Sequence, residues 1–504
     1  MLVRYIRIPL TLLALLPMAA MAVLTPQPWA GYAHDAQHSG VSPVKSQPLQ
    51  RIKWQTPVDL NRQYSGSELL IHYGSPIVTK ANNIIIPVKT GATDGFKVEV
   101  RNAVDGVLRY TLNTDYSLPP HNWVPSYSPT MTSRNRLYWP GAGGTVYYRD
   151  SPDLATGATG QIAFYGNANY NAAKATYNSA IKIATPITTD LAGNIYFGYV
   201  ALGSTPLNLQ SGIAKIAANG SATYVTAKAA SGNDASINRV LMNNAPALNK
   251  YHTRLYFAVA NSNNFGAGYL AMVDTATLTP ISHIRLQDPK SKLDAFLPAD
   301  GTASVTVGPN GDVFFGVLEN PFPSHNDRGW MLHFNAGLTQ TKIPGSFGWD
   351  ATASIVDAKL VPSYTGKSTY LLFTKYNNYQ QFADGVNKIA ILDPNAKMLD
   401  PVNQSTYVMK EVMSIAGATP EIVPGKPNAV REWCINSAAI DPFTKSALAN
   451  SEDGILYRWD FQTNSLSEQV TLTEGLGEAY TPTIIGVDGT VYAINNGILF
   501  AVGQ

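Results

Sequence analysis

The stretch YTPTIIGVDGTVYAINNGILFAVG, residues 480–503, decides the fold. It opens on a small-residue and proline step, Tyr480-Thr481-Pro482, and runs into an apolar strand. It turns at Val487-Asp488-Gly489-Thr490, returns as Val491-Tyr492-Ala493, and ends in a third strand, Leu499-Phe500-Ala501-Val502-Gly503. An Asp-Gly turn between β-branched and aromatic runs is a hairpin signature, not a helical period. The same phrase reads seven more times upstream. Its other openings are Gly74-Ser75-Pro76, Tyr127-Ser128-Pro129, Ala184-Thr185-Pro186, Asn244-Ala245-Pro246, Thr302-Ala303-Ser304, Thr352-Ala353-Ser354 and Asn436-Ser437-Ala438. Units of this size, repeated and each too small to bury its own apolar face, predict an all-β, single β-propeller of eight four-stranded blades.

The last unit stops after three strands. The segment from Leu49 to Trp54 is its expected outer strand, closing the ring by joining both chain ends. An 84-residue interval before Asn436-Ser437-Ala438 leaves seven blades as the alternative, with the region from Val408 to Pro427 read as a long connection or a degenerate hairpin.

Composition narrows the function. Of 504 residues, 36 are Lys or Arg and 34 Asp or Glu, so no basic field for nucleic acid is expected. Residues 1–22 read as a signal peptide: Arg4 and Arg7, an apolar run to Leu16, then Ala20-Met21-Ala22 as a cleavage site. The expected organisation is a signal at 1–22, a lead-in at 23–48 and the propeller at 49–504. The protein is expected to be periplasmic or secreted, monomeric, and without a membrane span after cleavage. Cys434, the single cysteine, excludes an intramolecular disulfide and haem attachment of the Cys-x-x-Cys-His kind. It reads as a small buried residue at a strand start.

The Gly-Ser-Pro openings, the strand Leu456-Tyr457-Arg458-Trp459-Asp460 and the Val-Asp-Gly turn resemble the pyrroloquinoline-quinone-like propeller repeats, and the lead-in Trp29 to Ser42 followed by Trp54 is similar to the N-terminus of that superfamily. The resemblance implies a propeller. It allows a quinone- and calcium-dependent alcohol or sugar dehydrogenase as well as a binding scaffold. The dehydrogenases' repeated Ala-x-Asp-x-x-Thr-Gly-x-x-x-Trp phrase is eroded here to Asn102-Ala103-Val104-Asp105-Gly106 and Asp274-Thr275-Ala276-Thr277, and an adjacent-cysteine disulfide is impossible with one Cys.

In a propeller, the loops that lead into each first strand and those between second and third strands share one face, and rigid scaffolds carry their sites on such loops. The residues before the openings are rich in aromatic, His and Arg side chains. Tyr73, Trp123, Arg239, Asn243, Trp349, Arg431 and Trp433 are the expected ligand-binding set of a polar, aromatic-rimmed funnel, with rings for stacking and guanidinium groups for carboxylates. His72, His121, Glu432 and Tyr480 are the acid–base candidates, and Asp300, Asp350 and Glu432 the candidates for a calcium site. Two readings follow: a non-catalytic propeller binding a small molecule, carbohydrate or protein at the funnel, or an enzyme using it, as a quinone-type oxidoreductase or a polysaccharide lyase.

Overall fold

The computed structural model describes residues 29–504 apart from 67, 71–73, 93, 120–126, 263–264, 299–302, 380–382 and 478. Eight antiparallel sheets follow one another along the chain: blades 1 to 8 at 77–113, 130–163, 181–226, 239–285, 306–334, 354–416, 439–471 and 484–503. Blade 8 takes its outer strand from the other end of the chain. Arg51–Pro57 pairs antiparallel with Ile498–Gly503, in the register Arg51↔Gly503 to Pro57↔Ile498. The eight-blade reading therefore holds and the seven-blade alternative is excluded. The long interval is a single blade, in which Lys388–Leu399 and Tyr407–Ala416 form an extended third and fourth strand.

Each blade's second strand is sealed on both faces by its neighbours. Asn83–Lys89 is buried throughout, as are Val313–Val317 and Tyr370–Tyr376. These are the β-branched and aromatic runs visible in the sequence, and they pack sheet against sheet as in a sandwich. Two features were not legible. Three short helices, Asn167–Ala172, Lys174–Ala180 and Ala227–Ala230, interrupt blades 2 to 4. Blade 5 has three regular strands, and the segment 340–345 completes its edge through scattered bonds such as Gly345 N to Met331 O at 2.8 Å.

The openings explain why the repeat keeps small hydroxyl residues. At the axis, a backbone N–H of one blade meets a side-chain oxygen of the next: Ser75 N to Ser128 Oγ at 3.1 Å, Ala245 N to Ser304 Oγ at 2.9 Å, and Ser304 N to Thr352 Oγ1 at 2.9 Å. Only a small residue lets the first strands approach this closely. A Cβ on Gly74 would lie 1.9 Å from the Tyr127 carbonyl oxygen.

On the opposite face, where the hairpin turns lie, the lead-in is part of the ring. Residues 29–47 form a strap that bonds in turn to the first strands of blades 1, 2, 4, 5, 6 and 7 and to the first turn of blade 8. The contacts run from Val78 N to Trp29 O (3.1 Å), through Met131 N to Ala30 O, Leu248 N to Ala36 O, Val307 N to Gln37 O, Ile355 N to Ser39 O and Ile440 N to Gly40 O, to Gln47 N with Gly489 O (2.8 Å). The expected boundary at 48 therefore separates no structural unit. From this strap Tyr32 rises along the axis, donating to Asn436 Oδ1 at 2.5 Å and lying 3.1 Å from Thr352 Oγ1.

The strap is folded on two ionisable groups. Asp35 accepts from Gln37 N, Ser39 N and the Ser39 hydroxyl. Burial pushes its carboxyl up, but His34 and Ser39 outweigh this and hold it at about 2. His38 is 1% exposed and donates Nδ1–H to Val305 O at 2.6 Å. Burial pushes it down to about 4 against the opposing effects of that carbonyl and of Asp35.

Two outcomes follow. Ser304→Ala leaves the Ala245 N–H without its acceptor and should lower the free energy of unfolding by about 1–2 kcal/mol, read from the denaturant midpoint. The folded protein keeps His38 neutral to about pH 4, whereas the unfolded chain protonates it below about 6.5. Protons are thus taken up on unfolding between those values, and stability falls as pH drops through that window by about 3 kcal/mol. His38→Gln should flatten that slope in unfolding curves measured from pH 7 to pH 4.

Candidate functional site

On the loop face over blades 6 to 8, five chain segments converge. The connection into blade 6 supplies Trp349 and Asp350, and the end of that blade's second strand supplies Lys375, with Asn377 and Tyr379 just beyond it. The long connection into blade 7 supplies Arg431 to Cys434. The turn after Ser446–Asn450 supplies Glu452, and the approach to blade 8 supplies Tyr480. The Asn377 amide holds the backbone of Trp433 from both sides, accepting from its N–H and donating to its carbonyl, each at 3.2 Å. That clamp fixes the neighbouring Glu432 and Cys434.

The Cys434 thiol donates to Glu452 Oε2 at 3.1 Å and receives the Tyr480 hydroxyl at 3.3 Å. Glu432, Cys434 and Glu452 place one ligand atom each within 4.8 Å of one another. Glu432 is half-buried, and the Tyr379 hydroxyl beside it accepts from Asn377 Nδ2 at 2.7 Å. Burial, then the charges of Glu432, Cys434 and Asp350, push the Tyr379 phenol well above its usual range, so it stays a neutral hydroxyl. The Lys375 ammonium sits 3.4 Å from Asp350 Oδ2, both side chains almost fully buried, and 5.5 Å from the centre of the Tyr480 ring.

The expected residues therefore divide. Asp350, Arg431, Glu432, Trp433 and Tyr480 lie in this sector. Asp350 pairs with Lys375, and among the described residues the groups gathered with Glu432 are Cys434 and Glu452. Arg431 is committed to Glu421 Oε1 at 2.9 Å, with Glu452 at 4.0 Å. Trp433 is 1% exposed and packs on Tyr457, ring centres 5.5 Å apart, so its indole serves the core between blades. Trp349 is half-buried, its N–H bonded to Arg328 O. Arg239 belongs to another sector, at the end of the first strand of blade 4, where its Nε bonds Asn238 and burial pushes its guanidinium down. Asn243, 4% exposed, lines the axial neck with Tyr32, Asn436 and Tyr480. His72, Tyr73, His121, Trp123 and Asp300 lie outside the described residues, as does the 1–22 segment.

Sequence reasoning missed Glu452 and Lys375. A lysine closing an otherwise apolar second strand was the available signal for one; nothing local marks Glu452 in Ser451-Glu452-Asp453-Gly454. A second buried cluster lies around the loop Phe322 to Asp327. There Glu319, wholly buried, accepts the N–H groups of His325, Asp327 and Gly329, and His325 lies flat on Trp330 with Nε2 3.1 Å from Asp400 Oδ2. Burial and the Glu319 charge push the Asp327 carboxyl up to about 7.

No protein-family model and no curated protein matches this chain. Among solved structures it is similar to a europium-containing methanol dehydrogenase (TM-score 0.56, 8% identity, 93% of this chain and 89% of that one). It is similar also to the quinohemoprotein alcohol dehydrogenase from Comamonas testosteroni (0.56, 9%, 96% and 82%) and to quinohemoprotein alcohol dehydrogenase ADHIIG from Pseudomonas putida HK5 (0.53, 11%, 95% and 76%). At these identities the likeness is one of fold. Among the described residues the axial neck, lined by Tyr32, Asn243, Asn436 and Tyr480, leaves about 10 Å³, too little for a planar tricyclic quinone.

Cys434 is 2% exposed, with its thiol bonded to the Glu452 carboxylate. Ellman's reagent should leave it unmodified in the folded protein and titrate one thiol in guanidinium; rapid reaction of the folded protein would show the sulfur to be accessible.

Proposed function

We propose that this chain is an exported, non-catalytic binding propeller whose loop face takes a carbohydrate-like ligand in the sector of blades 6 to 8. The observation that carries this reading is the half-buried Glu432 carboxylate beside Glu452 and the Cys434 thiol, flanked by the hydroxyls of Tyr379 and Tyr480. A sugar hydroxyl donates to a carboxylate and accepts from a phenol, and sugar faces stack on aromatic rings, so this set matches a polyol better than an anion. The nearest cation, Arg431, is already paired.

The fold is shared with quinone-dependent alcohol dehydrogenases, and that likeness supports an oxidoreductase as the second reading. The closed neck and the single cysteine weigh against it. A lyase acting on a uronate would place a base and a cation on the substrate carboxylate. Arg431 and Lys375, the cations of this sector, are paired with Glu421 and Asp350.

Calorimetry of the mature protein separates these readings. Neutral oligosaccharides should bind, and Glu432→Gln should weaken them about tenfold, the loss of one charge-assisted hydrogen bond. Uronate oligosaccharides should give no new double-bond absorbance, and pyrroloquinoline quinone with calcium no heat and no alcohol oxidation. Quinone uptake with turnover would overturn the binding reading, and so would failure of every neutral oligosaccharide tested.

A further inference from the structure

On the opposite, turn-bearing face, a cavity of about 280 Å³ lies between the strap and the first strands of blades 2 to 4. Its body is apolar, walled by Ala30, Met131, Ile187 and Leu191. Its charges are already satisfied. Asp35 receives two backbone N–H groups, the Ser39 hydroxyl and His34 Nδ1, and Asp190 receives Asn194 N, Asn194 Nδ2 and the Tyr196 hydroxyl. Lys250 sits at the exposed rim, in water.

Two ring nitrogens remain. His34 gives Nδ1–H to Asp35 at 3.2 Å, and its Nε2 is buried with no partner among the described residues. His252 Nδ1 accepts the Leu191 N–H at 3.1 Å, which leaves the ring proton on Nε2; burial, acting against Asp190 and Asp35, favours this neutral form. The cavity thus offers one unpartnered ring nitrogen, one N–H donor and an apolar wall. The backbone around it is held in a costly conformation: Ala33, His34, His38 and His252 have φ of +47°, +82°, +60° and +55° without being glycine.

We infer that this cavity is a second binding site, independent of the loop-face ligand, for a small uncharged molecule with an aromatic or alicyclic body and one hydroxyl. The hydroxyl bonds His34 Nε2 and accepts from His252 Nε2–H, completing the two bonds the protein leaves open. The body replaces water against the apolar wall. An anion has no unpaired cation to meet inside the cavity, and a hydrocarbon would leave His34 Nε2 unsatisfied.

The test titrates the mature protein with benzyl alcohol and with toluene, by calorimetry and by thermal melting. Benzyl alcohol should saturate with a dissociation constant below about 1 mM, and toluene should bind at least about tenfold more weakly. His252→Phe should erase that difference, and Ser133→Trp, at the half-buried rim, should block both ligands in protein confirmed as folded by its circular dichroism. Equal affinity for the two probes in the unmodified protein, no saturable binding of benzyl alcohol, or benzyl alcohol binding unchanged in Ser133→Trp would each overturn the site. A failed sugar titration on the loop face leaves this outcome untouched.

Discussion

The structure depends on how closely eight first strands can approach one axis. Each contributes only a few residues there, and the space between blades is set by a backbone N–H reaching a serine or threonine oxygen of the next blade. Larger side chains at these openings would push neighbouring blades apart and separate the apolar layers behind them, where second strands such as Asn83–Lys89 have no exposed residue. Axis and layers are therefore coupled: the hydroxyl contacts contribute modestly one by one, but they fix the spacing at which the much larger inter-blade burial is realised.

The strap solves the remaining problem of a ring, which is its hole. An open axis would leave the polar ends of the first strands facing water on two sides. Residues 29–47 supply backbone partners to seven of the eight blades, and Tyr32 fills the neck with a ring whose hydroxyl meets the opposite openings. Because the axis is filled from one side, any ligand on the other side meets a shallow floor. The groups gathered over blades 6 to 8 accordingly come from connections, a turn and a strand end, with Tyr480 alone among them also lining the neck.

Much of this was legible, for identifiable reasons. Strand identity came from local features: Asp-Gly and Asn-Gly turns and β-branched runs specify hairpins without reference to anything distant. The closing strand was legible because a three-strand unit needs a fourth. The irregular edge of blade 5 and the short helices were not, since their residues carry no distinct period. The site was half legible. Glu432 and Tyr480 stood out as polar residues before strand openings, but the partners that define their chemistry, Glu452 and Lys375, arrive from other blades through contacts that no local pattern encodes. Trp433 shows the converse, a conspicuous aromatic in a promising loop that the fold uses as packing.

The pairing of Arg51–Pro57 with Ile498–Gly503 has a consequence in time. The ring cannot close until Ile498–Gly503 has been made, and until then blade 8 lacks its outer strand and the Arg51–Pro57 segment has no partner. A nascent chain of this protein carries two unpaired strand edges more than 400 residues apart. Such edges are templates for pairing between chains. For this fold the arrival of Ile498–Gly503 removes a route to misassembly, so loss of that strand is more damaging than its six residues would suggest.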